Sequence, residues 1–339
     1  MKAFLDPRQH HHDPKHFMAN GQRLQNPEQP RRIEVLRAGA EAAGCSFTAP
    51  DDHGLGPIAA LHSPEYLTFL STIHTRWQRI PDAADEVIPN IHPDRRTASY
   101  PRSAVGQAGF HQADTACPIS SGTWEAAYWS AQTALSATDA VLGGAHAAYA
   151  LSRPPGHHAF GDLAGGFCFL NNSAIAAEYL RRQGRRPAVL DIDVHHGNGT
   201  QGIFYERADV LTVSIHADPI RFYPFFWGHG AERGAGAGLG YNLNLPLARG
   251  TGLAGYQRAL GTALERIALF GADAIVVALG LDAHENDPLK GLGLTTSDFT
   301  RIAEAIAATG LPLVLVQEGG YLSDDLGRNL TAFLAGCQT

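Results

Sequence analysis

The 339-residue chain carries 44% hydrophobic residues and a formal net charge of -7, enough apolar content for one large core or two ordinary ones. That charge excludes a general phosphate-binding surface, since non-specific nucleic-acid affinity comes from clustered Lys and Arg, and it suits a small cationic substrate. The four cysteines, Cys45, Cys117, Cys168 and Cys337, form no CxxC pair, which argues against a disulfide framework or a Cys-ligated zinc site. With no signal-type opening and no apolar run of ~18 residues, a cytoplasmic protein that does not engage the membrane is expected.

Residues 1–30 are polar and irregular and include the run His10-His11-His12, read as a natural, loop-rich N-terminal arm rather than a purification tag. From Pro30 the stretch RRIEVLRAGAEAAG has helical apolar spacing and ends on a capping Gly44, and a second helix is expected over 123–141. The later half alternates. Apolar runs at 188–192, 210–215, 274–281 and 312–317 are separated by helical stretches such as 256–270 and 297–309. Continuously apolar strands alternating with helices predict one α/β domain with a mostly parallel central sheet flanked by helices. Ligands of such sheets sit outside the carboxyl ends of the strands. Asp191 and Asp193 end the first run, His216 the second, Asp282 the third and Glu318 the fourth. Glycine-rich segments at 228–240 and 318–320 read as loops around that rim.

Three motifs carry chemistry. DIDVHHGNGT places Asp191, Asp193 and His195 at alternate positions, so that Asp193 and His195 can meet one ion. With Asp282 from the next strand end, one His and two Asp leave a fourth zinc position open, as catalytic sites do. RPPGHHAF presents His157 and His158 on a stiff Pro-Pro-Gly turn, and tandem imidazoles suit proton transfer. QEGGYL brings the backbone close through two glycines and offers Tyr321 as a hydroxyl for a substrate carbonyl.

The motifs RPPGHHA, DxDVHHGNGT, LGLDAHENDP and EGGY, in this order, resemble the arginase-like histone deacetylase superfamily, in particular the acetylpolyamine amidohydrolases and class II deacetylases. The resemblance runs from about residue 55, through LHSPEYL and SSGTWEAA, to the C-terminus. It implies a single deacetylase-like domain over 1–339, with 1–30 as an arm and about 70–122 as a rim loop that narrows the entrance and makes a homodimer contact. It implies one catalytic zinc on Asp193, His195 and Asp282, proton transfer by His157 and His158, and carbonyl polarisation by Tyr321. It also implies a structural K+ or Na+ on Asp191, Asp193, His195, Ser214 and the backbone of Ile215. Asp191 would orient His157 and Asn198 would hold His158. Phe167 and Tyr223 would wall the substrate channel.

The implied activity is zinc-dependent hydrolysis of the amide of a small N-acetylated amine. The alternatives are a protein acyl-lysine deacetylase, which needs an open rim, and a metal-binding module without turnover. Where the resemblance places the acidic residues that hold a polyamine, this chain has His16, Val105 and Ala116, with only Asp13 and Asp114 close by. Long polycations are therefore expected to gain little over short acetylated diamines.

Overall fold

The computed structural model of the protein describes residues 1–94 and 99–338. Its strands, in chain order, are β1 (Lys2–Phe4), β2 (His16–Ala19), β3 (Gln22–Gln25), β4 (Ser46–Thr48), β5 (Ala147–Ala150), β6 (Pro187–Asp191), β7 (Leu211–Ala217), β8 (Asn242–Leu247), β9 (Ala274–Leu279) and β10 (Leu313–Gln317). Its helices are α1 (Arg31–Ala42), α2 (Gly56–Ala59), α3 (Pro64–Trp77), α4 (Ala104–His111), α5 (Thr123–Leu142), α6 (Asn172–Arg182), α7 (Asn198–Phe204), α8 (Leu253–Phe270), α9 (Thr296–Ala307) and α10 (Leu326–Gly336).

Eight strands form one sheet in the order β4-β1-β5-β10-β9-β6-β7-β8, and every pairing in it is parallel. Parallel strands covered on both faces read as continuous apolar runs, and β6, β7, β9 and β10 are buried along their whole length. Successive side chains go to opposite faces. Leu313 and Leu315 join a core with residues of α1, α8, α9 and α10, whereas Val314 and Val316 join one with α5 and α6. A third core lies under α3, α4 and the first turns of α5, built on Tyr66, Phe69, Ile73 and Ile119. Helix boundaries follow local chemistry: Asn171 Oδ1 accepts the Ala174 N–H (2.9 Å) to start α6, and the Thr295 N–H donates to Asp298 Oδ2 (2.8 Å) to start α9. Gly271, in the left-handed region at φ 71°, ends α8.

The four strands expected from apolar runs are all present. Four more in the same sheet are not legible in the sequence. β1 and β4 have three residues each, β5 is the alanine-rich AAYA, and β8 alternates asparagine with leucine. The N-terminal segment differs from the loop-rich arm expected. β1 enters the sheet between β4 and β5, residues 16–25 form an antiparallel hairpin, and Gln9, His12, Asn26 and Glu28 are buried. Their polarity hides this burial in the sequence: Gln9 reaches Thr133, His12 reaches Thr123 and Glu28 reaches Arg153, all far along the chain, while Asn26 accepts the nearby Glu28 N–H. Within 70–122, residues 70–77 belong to α3 and 104–111 form α4, and residues 95–98 lie outside the described residues.

Candidate active site

Register brings the motifs together. Asp191 pairs with Ser214 on β7 and with Ala278 on β9, while Gln317 at the end of β10 pairs with Leu279. The loops leaving β6, β9 and β10 therefore start side by side. The β6 loop tightens through its own carboxylates: Asp191 Oδ1 accepts the Asp193 N–H (3.1 Å) and Asp193 Oδ1 accepts the His195 N–H (2.9 Å). Across the loops, Asp282 Oδ1 accepts from Val194 N (3.0 Å) and Asp193 Oδ2 accepts from Gly319 N (2.8 Å).

The result is a buried cluster in which Asp193, His195 and Asp282 hold donor atoms within 4.8 Å of one another. His195 Nδ1 faces Asp193 Oδ1 at 3.1 Å and Asp282 Oδ2 at 3.2 Å. Asp282 Oδ2 is buried and receives no aligned hydrogen bond. Burial and the Asp193 carboxylate raise the pKa of Asp282, while burial opposes, and Asp193 and Asp282 drive, a rise of the His195 pKa to about 9. Two buried carboxylates with an orphaned oxygen call for a cation, since isolated buried charge is costly. Two carboxylates and an imidazole are a donor set that zinc accepts. Gly319 keeps the cradle open, because a Cβ there would run into the carboxylate oxygens of Asp282 and Asp193.

Beside this cluster lie the paired histidines, with ring centroids 4.0 Å apart. His157 Nδ1 donates to Asp191 Oδ2 (2.9 Å). Burial works against its charge, but Asp191, Asp193 and Glu318 push its pKa up to about 10. His158 Nδ1 donates to Asn198 Oδ1 (2.7 Å), and burial followed by the neighbouring histidines holds its pKa well below the ordinary imidazole range. The pair is thus split into a charged and a neutral ring, the second with Nε2 free as a base.

Tyr321, His158, His195, Phe167 and Tyr223 all line one pocket of about 330 Å3, with Phe17, Met18 and Ala116 among its other walls. Phe167 takes a left-handed backbone conformation (φ 68°), with its ring edge-on to Tyr321 at 5.8 Å. Tyr223 stands edge-on to His158 at 4.8 Å. Burial pushes the Tyr321 phenol well above its usual range, so it stays a donor. Ser214 lies behind the loop, its hydroxyl 2.8 Å from His216 Nδ1. His216 donates its other nitrogen to Gly228 O (2.8 Å), so the Ser214 hydroxyl is the donor and its oxygen keeps free lone pairs. All the motif residues thus converge, except that His216 faces away from the pocket.

Glu318, singled out as a strand-end carboxylate, proves to be a support, and several other supporting residues escape sequence reading. Glu318 Oε2 accepts the N–H groups of Gly156 (2.6 Å) and His157 (3.0 Å), and Oε1 accepts from Ser173 Oγ (2.7 Å). Burial raises its pKa to about 7 against the opposing charge of His157. Arg32 donates to the carbonyls of Gly320 (2.6 Å) and Glu318 (2.7 Å), while buried Glu28 joins Arg32 (2.5 Å) to Arg153 (2.9 Å). Asp287 accepts the N–H of Tyr321 (2.9 Å) and of Leu289 (2.8 Å). Only the Asp-Pro step of LDAHENDP hinted at Asp287. Phe222, stacked on His195 at 4.9 Å, gave no signal beyond its aromatic neighbours.

Residues 26–337 match the histone deacetylase domain. The chain is 48% identical over 337 residues to the acetylpolyamine amidohydrolase of Burkholderia pseudomallei, covering 99% of this chain and 98% of that one. It is 44% identical to acetylpolyamine amidohydrolase 1 of Pseudomonas aeruginosa, covering 91% and 90%. A crystal structure of the Burkholderia pseudomallei acetylpolyamine aminohydrolase superposes with a TM-score of 0.97, at 48% identity and 99% and 98% coverage. With residues 26–337 matched by the domain and 99% of the chain aligned to a relative at 48% identity, the chain belongs to the histone deacetylase domain family.

Proposed function

We propose that the protein is a zinc-dependent deacetylase that hydrolyses the amide of small N-acetylated amines of the acetylpolyamine or acetylated-diamine type. The observation that carries this reading is the convergence of Asp193, His195, Asp282, His158 and Tyr321 at one apolar-walled pocket. Its volume of about 330 Å3 falls at the small end of ligand pockets, which span roughly 300–1,000 Å3. That size favours a free amine over a folded protein. A metal-binding module without turnover would have no use for His157, His158 and Tyr321 held around the metal position.

Asp193, His195 and Asp282 would hold zinc, which when bound supplies a Lewis acid for the acyl oxygen and makes water more acidic. His158 Nε2 takes the proton of the attacking water, because its Nδ1–H is committed to Asn198, and returns it to the departing amine. His157, kept charged by Asp191, contributes positive potential beside the developing negative charge. Tyr321 donates its hydroxyl to the oxyanion, and Phe167 and Tyr223 hold the methylene chain. The test is acetate release from acetylputrescine, acetylcadaverine, acetylspermidine and an acetyl-lysine peptide. Faster turnover of the peptide than of every free amine would overturn the substrate assignment.

The same reading includes a K+ or Na+ on Asp191, Asp193, His195, Ser214 and the Ile215 carbonyl, supported by the register pairing of Asp191 with Ser214. It also includes a homodimer through the 70–122 segment and a cytoplasmic site of action without nucleic-acid or membrane partners. Among the described residues, no helix is long and apolar enough to cross a membrane.

Tyr321→Phe is expected to keep zinc and fold while kcat falls by ~10²–10³, the usual cost of one oxyanion donor. Unchanged kcat would remove Tyr321 from the mechanism. Asp287→Ala frees the backbone that presents Tyr321. Since misplacement by about 1 Å can cost ~10²-fold, a loss of roughly tenfold in kcat is expected, with metal content unaltered. Wild-type kcat in that variant would show that the Tyr321 turn holds itself.

A further inference from the structure

Asp114 is the one acidic side chain among the described residues lining the pocket walls. Its carboxylate is already engaged. Oδ2 accepts the Tyr223 hydroxyl at 2.7 Å and the Gly166 N–H at 3.1 Å, and Oδ1 accepts the Ala116 N–H at 2.8 Å. An ionised carboxylate offers about four lone-pair sites, and three are filled here. Nearby acids on the hairpin side are also engaged: Asp13 pairs with Lys15 Nζ, and Glu86 accepts the Lys15 N–H at 2.9 Å with His16 Nδ1 at 3.8 Å. His16 itself is bonded to Arg23 Nη2 (2.9 Å), and Ala116 adds no charge to the pocket wall that it helps form.

We propose that Tyr223, beyond walling the channel, is a specificity residue that masks Asp114: its hydroxyl occupies the carboxylate oxygen that would otherwise receive a substrate's distal ammonium. This deepens the reading above and rests on it. The geometry gives Tyr223 both tasks. Its ring packs against His158, where the acyl group must lie, while its hydroxyl reaches along the wall to Asp114, close to Gly166. An ammonium ion and a phenol compete for the same lone pair; both bonds to a carboxylate are charge-assisted, and the ammonium adds the attraction of a full opposite charge. With the mask in place, the pocket discriminates by the fit of the acyl and methylene parts and draws little on substrate charge. A phenylalanine would keep the ring and leave Asp114 Oδ2 open to the pocket.

The experiment compares kcat/KM for acetylputrescine with that for N-pentylacetamide, its uncharged isostere, in the wild type, Tyr223→Phe, Asp114→Asn and the double variant, at two salt concentrations. Tyr223→Phe is expected to raise the charged-to-neutral ratio by about twofold to fivefold, in line with a partly exposed ion pair. Added salt should shrink the gain. The double variant should return the ratio to the wild-type value. If Tyr223→Phe changes both substrates in proportion, or if the rise persists in the double variant, the masking role is overturned. Failure of the wild type to hydrolyse either compound would instead count against the deacetylase reading itself. Using a ratio separates charge selection from any general loss of rate caused by a looser His158 wall.

Discussion

Asp193→Ala, His195→Ala and Asp282→Ala are each expected to lose stoichiometric zinc together with acetate release, the largest effect predicted here. Three protein ligands are the minimum seen in catalytic zinc sites, and among the described residues the other group of ligand-type side chains, His157, Cys168 and Glu318, is a separate set. Removing either carboxylate also relieves the repulsion that raises the Asp282 pKa. The apo forms should therefore not lose stability in proportion to activity. Asp282→Asn is the sharpest variant. It keeps volume, and its amide oxygen can still accept the Val194 N–H that Asp282 Oδ1 accepts now at 3.0 Å, but it removes the charge needed by the cation. The checks are metal analysis of the purified proteins, thermal melting and turnover. Full zinc occupancy in all of these variants would mean that the metal lies elsewhere.

His158→Ala is expected to retain zinc and fold while kcat falls by ~10²–10⁴, the range associated with a positioned general acid–base. Its place in the reaction follows from which nitrogen is free. Asn198 Oδ1 can only accept, so the 2.7 Å contact fixes the proton on His158 Nδ1 and leaves Nε2 as the base. Asn198 adds no negative charge, and burial with two neighbouring imidazoles keeps the ring neutral. His157 is built differently, because the Asp191 carboxylate at 2.9 Å favours its cationic form. His157→Ala should accordingly cost less than His158→Ala. Equal losses in the two variants, or a greater loss for His157, would reverse the assignment of base and electrostatic partner.

Part of this outcome was legible without coordinates. A parallel sheet must bury both faces, so β6, β9 and β10 are written as nearly continuous apolar runs and β7 as a mainly apolar one, with most of the polar chemistry at their ends. Asp193 and His195 are two positions apart, and His157 and His158 are adjacent. Short spacings of that kind survive folding almost unchanged, because local backbone geometry alone keeps such side chains near one another. The stiff RPPG and open EGGY turns likewise announce backbone shape directly.

What the sequence by itself determined, then, was the α/β class, and it named the residues that the structure gathers in the carboxylate–imidazole cluster together with the two histidines and the tyrosine beside it. Only the tertiary structure decided which distant side chains support them. Glu28 meets Arg153 across 125 positions, and Tyr223 meets Asp114 across 109. β1 becomes a strand because its neighbours offer it two edges, despite having only three residues. The physical reason is that burial pattern and turn chemistry are local and repeat along the chain. A polar pair distant in sequence has no period to reveal it, and its partner is chosen by sheet register and helix placement after the core has formed.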